Sequence, residues 1–220
     1  MYMIKAIIFD MDGLLIDSEG SWNETRKQIF LEAGEPWGSE DHKAVMGVNT
    51  REWVHYMSKR LDGKVAPDEL ETMVIHRMAA RYRKSFPFFP GAVEAVQIAS
   101  SNYPTGLASG SPRQLIDMVT NEPYFQGCFQ VTVSADEVAA GKPAPDVYLE
   151  TARRMGVNPS DCVCLEDSSN GIRSGKAAGM KVIAVPDARY APPPAEVLSL
   201  ADVVLSSLTE FSLETVKLLI

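Results

Sequence analysis

Two aspartates separated by one residue follow a short apolar segment near the start of the chain. Residues 4–9 are mainly branched and apolar and too few for a helix, so we expect a strand buried on both faces. Side chains alternate along a strand, so Asp10 and Asp12 should leave on the same side, and Gly13 allows a sharp turn after them. Open α/β sheets bind ligands at the carboxyl ends of their strands.

The proximity of the two carboxylates has an electrostatic cost. Two unit charges about 4 Å apart repel by roughly 4 kcal/mol at an effective dielectric constant near 20. Either one acid keeps its proton or a hard cation binds, and Mg²⁺ is the usual ion for such oxygen ligands. The alternative for a lone D-x-D-G motif is a solvated acidic turn, so the rest of the chain must decide.

Polar residues recur after three later segments for which we predict strands. They are Ser109 and Gly110 after residues 105–108, Lys142 in the loop after residues 131–133, and Glu166 and Asp167 after residues 161–165. The carboxyl ends of parallel strands meet at one edge of a sheet. We therefore expect these five residues to share one site with the two aspartates of the first strand.

The neutral and basic members of this group suit a phosphate ligand. Ser109 can donate a hydroxyl hydrogen bond, and the amides that open the next helix, that of Gly110 among them, can point at an anion. Lys142 adds a compact positive charge for phosphate oxygens. A plain helix cap for Ser109 and a solvated lysine are the alternatives. We predict that Ser109, Gly110 and Lys142 bind phosphate.

The acidic residues of this group could bind a cation and form a covalent intermediate with the substrate. Asp167 supplies a third carboxylate and strengthens the case for Mg²⁺, whereas Glu166 could be a ligand, a neighbour of the ligands or an acid at a helix start. One oxygen of Asp10 could then attack phosphorus and form an aspartyl-phosphate. Asp12 could protonate the leaving oxygen and later take a proton from water, which is worth roughly 10² to 10⁴ in rate.

The elements that would position these residues follow from the pattern of apolar residues. Helices and strands alternate beyond residue 91, which predicts right-handed crossovers and a parallel sheet. Residues 18–85 show helical patterns and no convincing strand, and a proline-bracketed boundary follows. We predict an α/β core of residues 1–17 and 86–220 with a helical cap, residues 18–85, inserted after the first strand.

The first helical pattern of this insert has an apolar and a polar face. Trp22 and Ile29 recur at helical spacing on the apolar face. Arg26, Lys27 and Glu32 are expected on the other face. All three histidines of the chain also fall in this insert, and none has a second ligand type at a metal-binding interval, so we assign them no function.

The composition excludes several classes of partner. The chain has 220 residues, with 45% hydrophobic and 23% charged residues, as in an ordinary globular protein. A net charge of -8 argues against nucleic acid or an anionic membrane, but not against a small phosphorylated ligand beside a local cation. Three cysteines without zinc-like spacing fit a reducing, cytoplasmic setting. We expect a monomer with neither a signal peptide nor a membrane-spanning segment.

Four motifs occur in order along the chain: Asp10-x-Asp12-Gly13, Ser109-x-Ser111, Lys142-Pro143-x-Pro145 and Glu166-Asp167-Ser168-x-x-Gly171. They resemble the motifs of haloacid-dehalogenase-superfamily phosphatases. The resemblance implies a Rossmann-like core with strand order 5-4-1-2-3 and a helical cap after the first motif. It also implies Asp10 as nucleophile, Asp12 as acid and base, and Mg²⁺ held by Asp10, the Asp12 carbonyl and Asp167. The second aspartate points to phosphoryl transfer, because a true dehalogenase lacks it.

Within the superfamily, the chain resembles bacterial 2-deoxyglucose-6-phosphate and hexitol-phosphate phosphatases most closely. β-Phosphoglucomutase has the same motifs, but it carries a histidine where Trp22 stands and a Lys-Asn pair where Pro112-Arg113 stand. Both departures weaken the mutase interpretation. Cap residues 48–52 are expected near the organic part of the substrate, and Arg51 and Arg113 are more simply solvated than bound to a second anion.

The leading hypothesis is therefore Mg²⁺-dependent hydrolysis of a small phosphorylated metabolite, a sugar or hexitol phosphate, through an aspartyl-phosphate. Phosphoryl transfer of the β-phosphoglucomutase type is the alternative. A non-catalytic receiver-like module, in which a phosphorylated aspartate is a signal, fits poorly because receivers have no helical insert after the first strand.

Overall fold

A six-stranded parallel sheet forms the centre of the protein. The computed structural model of the chain describes residues 3–46, 48–189 and 192–219. The strands are β1 (Ala6–Phe9), β2 (Thr105–Ser109), β3 (Val131–Ser134), β4 (Cys162–Glu166), β5 (Lys181–Ala184) and β6 (Val203–Val204). The order across the sheet is β3-β2-β1-β4-β5-β6. The predicted α/β fold and the order 5-4-1-2-3 are confirmed, and the short β6 extends the edge at β5.

Helices cover both faces of this sheet. The helices are α1 (Glu19–Glu32), α2 (Ser39–Ala44), α3 (Thr50–Arg60), α4 (Pro67–Lys84), α5 (Ala92–Ser100), α6 (Arg113–Thr120), α7 (Asp146–Met155), α8 (Ser169–Ala177), α9 (Ala195–Leu198) and α10 (Leu213–Lys217). Apolar residues of α5, α6 and α10 belong to the core on one face, and those of α7, α8 and α9 to the core on the other. None of the helices in the described part of the chain has the length and apolar content needed to cross a lipid bilayer.

The position of β1 explains its apolar sequence. It pairs with β2 on one side and β4 on the other, and its four residues are fully buried. Ile7 and Phe9 pack into the core on one face, while Ala6 and Ile8 pack into the core on the other. A strand covered on both faces needs apolar side chains at every position. Its carboxyl end therefore leads Asp10 directly from the core to the edge of the sheet.

Helices α1 to α4, which we call the helical insert, lie between β1 and α5 in the chain. Within the insert, α1 and α3 both pack against α4, and Trp53 and Phe30 are among the buried side chains between them. The insert also contacts the core by hydrogen bonds: the Thr50 amide and hydroxyl donate to the Asp136 carboxylate, at 3.1 and 2.7 Å. This contact places the start of α3 close to the loop that follows β3.

The predicted position of Arg26 is wrong. Lys27 and Glu32 are exposed as expected, but only 4% of Arg26 is accessible to solvent. Arg26 follows Trp22 by four residues, so both side chains lie on one face of α1. The guanidinium carbon lies 4.8 Å from the centroid of the Trp22 ring. Contact between the cation and the aromatic ring keeps this charged residue on the apolar face.

We predict that Ile8→Ala destabilises the fold by about 2–5 kcal/mol, because the removed atoms leave a cavity in the close-packed core beneath the sheet. Leu31→Ala is the control, since Leu31 is 74% exposed, and its effect should stay within about 0.5 kcal/mol. Denaturant titration of the three proteins measures both changes. Equal midpoints for Ile8→Ala and the parent would contradict the packing described for β1.

Candidate active site

A buried lysine lies at the carboxyl ends of the central strands. The Lys142 ammonium donates to Asp10 Oδ1 at 2.5 Å, to Glu166 Oε1 at 2.6 Å and to the carbonyl oxygen of Ala108 at 3.0 Å. These three acceptors use all three donors of the ammonium group. Burial disfavours the charge of Lys142, but the Asp10 and Glu166 carboxylates outweigh that effect and raise the pKa of Lys142 above its ordinary value. Lys142 therefore stays protonated, as part of this network.

Three carboxylates converge beside this lysine. Asp10, Glu166 and Asp167 each place one oxygen so that the three atoms lie within 4.8 Å of one another. Burial raises the pKa of Asp10 and of Asp167 well above the usual range, and the neighbouring carboxylates raise both further. One ammonium cannot balance three carboxylates. A hard divalent cation with oxygen ligands fits this surplus of negative charge.

Two of the three predicted metal ligands have their carboxylates in this cluster. Asp10 and Asp167 belong to it, while the Asp12 carboxylate is engaged elsewhere, so the ligand that the resemblance assigns to Asp12 would be its carbonyl. Glu166 joins the cluster, but its Oε1 accepts from Lys142 and from Tyr148 and its Oε2 accepts from Ser168. These contacts favour Glu166 as a residue that positions Lys142, which is one of the three roles that the sequence leaves open for it.

Asp12 is held by donors from both parts of the chain. Its Oδ1 accepts from the Ser18 hydroxyl at 2.7 Å and from the Trp22 indole at 3.0 Å. Its Oδ2 accepts from the Ser111 hydroxyl at 2.6 Å and from the Ser109 hydroxyl at 3.3 Å. Four hydrogen bonds to its two oxygens fix the orientation of the carboxyl group. Asp12 is thus hydrogen-bonded both to the start of the helical insert and to the segment at the carboxyl end of β2.

The residues predicted to bind phosphate lie at the same end of the sheet. The Ser109 side chain is fully buried and its hydroxyl accepts from the Ser111 amide at 3.0 Å, whereas Gly110 and Ser111 line the cavity above the carboxylates. Lys142 lines this cavity too. We had not expected Ser111 to orient Asp12, although the Ser-x-Ser spacing gave a signal for it. The structure therefore brings the four motifs together.

Two glycines leave the space that the carboxyl groups of the acidic cluster occupy. Gly13 has a φ of +82°, and a Cβ at this position would lie 2.2 Å from Asp167 Oδ2. A Cβ on Gly171 would lie 1.8 Å from the Glu166 carboxyl group. Any side chain at either position would displace an acidic group of the cluster. The glycines in the first and last motifs are thus required for the spacing of the carboxylates.

The cavity between the insert and the sheet has a volume of about 210 Å³. This is below the roughly 300–1,000 Å³ typical of drug-sized ligands, so it suits a small metabolite. The sheet side carries Asp10, Asp12 and Asp167, and the insert side carries Glu19, Trp22, Arg26, Lys43, Val48 and Trp53.

Glu19, Arg26 and Trp53 line the cavity but were not among the predicted site residues. Glu19 precedes Trp22 by three residues and Arg26 follows it by four, so this spacing places Glu19, Trp22 and Arg26 on one face of a helix and could have indicated the first and the last of them. Trp53 comes from α3, and its approach to α1 depends on how the helices pack. Residue types alone carried no signal for that approach.

Most of the other insert residues singled out from the sequence lie elsewhere. Val48 lines the cavity, but Arg51 and Thr50 line a separate depression next to Asp136. Arg113 donates to Glu137 and to Thr132 on the outer side of α6. Neither Arg51 nor Arg113 is among the residues that line the active-site cavity in the described part of the chain.

Glu19 and Arg26 are charged groups with perturbed ionisation in the wall of this cavity. Burial raises the pKa of Glu19 to about 7, although the charge of Arg26 lowers it in part. Burial lowers the pKa of Arg26 to about 10, and Glu19 opposes that change. At neutral pH Arg26 is cationic, whereas Glu19 is close to half ionised.

We predict that Glu19→Gln flattens the dependence of stability on pH. The pKa of Glu19 is about 7 in the folded protein and near 4.5 in the unfolded chain, so the folded state binds more protons between these values. Stability therefore falls as pH rises from about 4.5 through 7, by up to about 3 kcal/mol, and the variant should regain that amount at pH 8. Denaturation of parent and variant at pH 5 and pH 8 without divalent cations measures it.

The matched control for this prediction is Glu24→Gln, because Glu24 is exposed on the same helix. Its difference from the parent should be the same at both pH values. A difference between Glu19→Gln and the parent that does not grow from pH 5 to pH 8 would contradict the burial of an ionisable Glu19.

Comparison with known proteins identifies the family. The family model of haloacid dehalogenase-like hydrolases matches residues 4–179. Hexitol phosphatase B of Escherichia coli (strain K12) is 36% identical over 213 residues, which cover 95% of this chain and 95% of the relative. The bifunctional riboflavin kinase/FMN phosphatase of Arabidopsis thaliana is 31% identical over 212 residues, and the match spans 96% of this chain but only 55% of that relative.

A solved structure shows the same fold. β-Phosphoglucomutase from Clostridium difficile superposes with a TM-score of 0.83, over 98% of this chain and 96% of the other, at 22% identity. At this identity the likeness concerns the fold alone. The family model covers most of the sequence and the E. coli phosphatase matches it almost from end to end, so the chain belongs to the haloacid dehalogenase-like hydrolases.

Proposed function

We propose that the chain is a Mg²⁺-dependent phosphatase that hydrolyses small sugar or hexitol phosphates through an aspartyl-phosphate. One observation carries the proposal: Asp10 presents a carboxylate to a cavity that Asp12 and Lys142 also line. Lys142 holds Oδ1 of Asp10, and no described residue donates a hydrogen bond to Oδ2. This oxygen is therefore free to act as the nucleophile.

The first step forms the covalent intermediate. An oxygen of Asp10 attacks phosphorus, the bond from phosphorus to the ester oxygen breaks, and protonated Asp12 gives its proton to that leaving oxygen. Hydrogen bonds from Ser18, Trp22, Ser109 and Ser111 hold the Asp12 carboxyl group in place for this transfer.

The second step returns Asp10 to its starting state. Ionised Asp12, in the orientation that Ser18, Trp22 and Ser111 give it, removes a proton from water. The resulting hydroxide attacks phosphorus and releases inorganic phosphate and the Asp10 carboxylate. Removal of the proton by a positioned carboxylate contributes roughly 10² to 10⁴ in rate.

Mg²⁺, when bound by Asp10, Asp167 and the Asp12 carbonyl, would neutralise the clustered carboxylates and the phosphoryl charge. The three converging acidic groups support this assignment, because hard oxygen donors suit Mg²⁺. Ser109, Gly110 and Lys142 are the proposed phosphate-binding residues. The helical insert, as the proposed cap, would cover the organic part of the substrate.

The substrate class rests on the relatives and on the size of the cavity. One relative matched over nearly its whole length is a hexitol phosphatase, and the cavity suits a small organic group. Transfer of the phosphoryl group to a second sugar oxygen, as in β-phosphoglucomutase, is the alternative, and it would give little free phosphate. A monomeric state, a cytoplasmic location and the absence of nucleic-acid and membrane partners stay predictions.

We predict that Asp10→Asn abolishes phosphate release, because an amide oxygen is a poor nucleophile towards phosphorus. Asp12→Asn should lower the rate by roughly 10² to 10⁴, the loss expected of general acid and base catalysis. Phosphate release from a panel of phosphorylated metabolites in the presence of Mg²⁺ measures both. Asp117→Asn, at an acid with 52% of its side chain exposed, is the control and should match the parent. Near-parental turnover by Asp10→Asn would exclude Asp10 as the nucleophile.

We also predict that a chelator removes activity and that Mg²⁺ restores it. Mg²⁺ should stabilise the folded protein, by about 2.7 kcal/mol at a concentration 100 times the dissociation constant. Asp167→Asn should weaken this stabilisation, because it removes one of the three converging carboxylates. Melting temperatures across a Mg²⁺ titration test it independently of turnover. An identical Mg²⁺ response in Asp167→Asn and the parent would rule out Asp167 as a ligand.

A further inference from the structure

The part of the cavity wall that belongs to α1 contains two charged groups, Glu19 and Arg26, that the reaction steps do not use. Glu19, Trp22 and Arg26 lie on one face of α1 and all line the cavity. Trp53 of α3 lies beside them, with its ring centroid 6.4 Å from that of Trp22. Two indole rings, a guanidinium and a carboxylate thus face the position where the leaving group of a bound phosphate ester would lie.

Arg26 is a buried charge without a hydrogen-bond acceptor in the described part of the chain. It is 4% exposed, and its Nε has no hydrogen-bond partner among the described residues. Its guanidinium carbon lies 4.8 Å from the Trp22 ring centroid and 5.8 Å from that of Trp53. Contacts with aromatic rings offset part of the cost of burying the charge but leave the N–H donors unused.

Glu19 offers the complementary chemistry. Its Oε2 is buried and has no hydrogen-bond donor among the described residues. Nε2 of His42 lies 3.7 Å from this oxygen, which is too far for a hydrogen bond. Buried polar groups are nearly always hydrogen-bonded, so an unused donor group and an unused acceptor that share a cavity wall indicate a ligand.

Arg26 and Glu19 together favour one kind of ligand. A hydroxyl group can accept from Arg26 and donate to Glu19, and the faces of Trp22 and Trp53 can pack against the C–H groups of a sugar carbon chain. A second phosphate would be attracted to Arg26, but it would also approach Glu19, which carries negative charge once ionised. Neutral hydroxyl groups satisfy both side chains without this repulsion.

We infer that Arg26 and Glu19 bind hydroxyl groups of the leaving group, so that the enzyme selects monophosphates of polyhydroxylated carbon chains over bisphosphates and over phosphates of apolar alcohols. This inference rests on the proposed phosphatase function and adds the residues that set its specificity. Arg26 acts here in substrate binding and takes no part in the transfer of the phosphoryl group.

The test compares two substrates in four proteins. The proteins are the parent, Arg26→Met, Glu19→Gln and Lys27→Met. Lys27→Met is the control, because Lys27 is exposed on the same helix. Each protein is assayed with glucitol 6-phosphate and with p-nitrophenyl phosphate. The readout is the ratio of kcat/KM for the polyol phosphate to that for the aryl phosphate. We expect this ratio to fall about 10- to 100-fold in Arg26→Met, as for loss of a hydrogen bond from a charged donor, and to stay at the parental value in Lys27→Met.

Deoxy analogues of the polyol phosphate sharpen the test. If Arg26 contacts a hydroxyl group, the parent should discriminate against the analogue that lacks it, and Arg26→Met should process that analogue and the complete substrate equally well. Arg26→Gln keeps a donor and should retain part of the discrimination, and it replaces Arg26→Met if that variant does not fold. Removal of an unpaired buried charge should leave the melting temperature unchanged or higher.

Each outcome decides the question. An unchanged ratio, or equal losses on both substrates, would show that Arg26 has only a structural role. Preference of the parent for a sugar bisphosphate, lost in Arg26→Met, would mean that Arg26 binds a second anion and would overturn the choice of hydroxyl groups. Absence of phosphate release by the parent from every substrate would refute the proposed function itself, whereas activity with an unaltered ratio refutes the inference alone.

Discussion

The ammonium group of Lys142 is the contact on which the arrangement of the site depends. It lies between Asp10 and Glu166 and donates a third hydrogen bond to the carbonyl oxygen of Ala108. Without that charge, three carboxylates at the ends of neighbouring strands would repel one another in a largely buried setting. One positive charge is still too few for three acids, and burial, together with the neighbouring carboxylates, raises the pKa of Asp10 and of Asp167. A site with this imbalance favours a divalent cation and, with it, a phosphate ligand.

The two aspartates of the first motif have different surroundings, which give a physical reason for the different roles proposed for them. Both follow the same buried strand, but Asp10 faces Lys142 and the acidic cluster, whereas Asp12 receives four hydrogen bonds from hydroxyl and indole groups. The first environment leaves one carboxylate oxygen without a donor in the described structure, and the second holds the carboxyl group in one orientation. These different surroundings support the proposed roles of Asp10 as nucleophile and of Asp12 as proton carrier.

The helical insert contributes to the site on both sides of the substrate position. Ser18 and Trp22, at its start, hold Asp12 from one side of the carboxylate. Glu19 and Arg26, on the same helix, also line the cavity and add charge to a wall that is otherwise mainly aromatic and apolar. The helix that holds the proposed acid and base catalyst therefore also carries the groups proposed to contact the leaving group, so both roles would depend on the packing of α1.

The sequence by itself determined the parallel sheet and the gathering of acids, serine and lysine at one edge, whereas the strand order followed only from the family resemblance of its motifs. Apolar runs that end on polar residues are local signals, and the topology of a parallel sheet converts them into a shared location. The tertiary structure decided which partner each group has: that Lys142 bonds to Glu166 as well as to Asp10, that Ser111 orients Asp12, and that Arg26 is buried. These pairings join residues far apart in the chain or depend on how helices pack. The spacing of Arg26 to Trp22 is a local sign that the two side chains meet, but nothing local shows that Trp53 of another helix lies beside them.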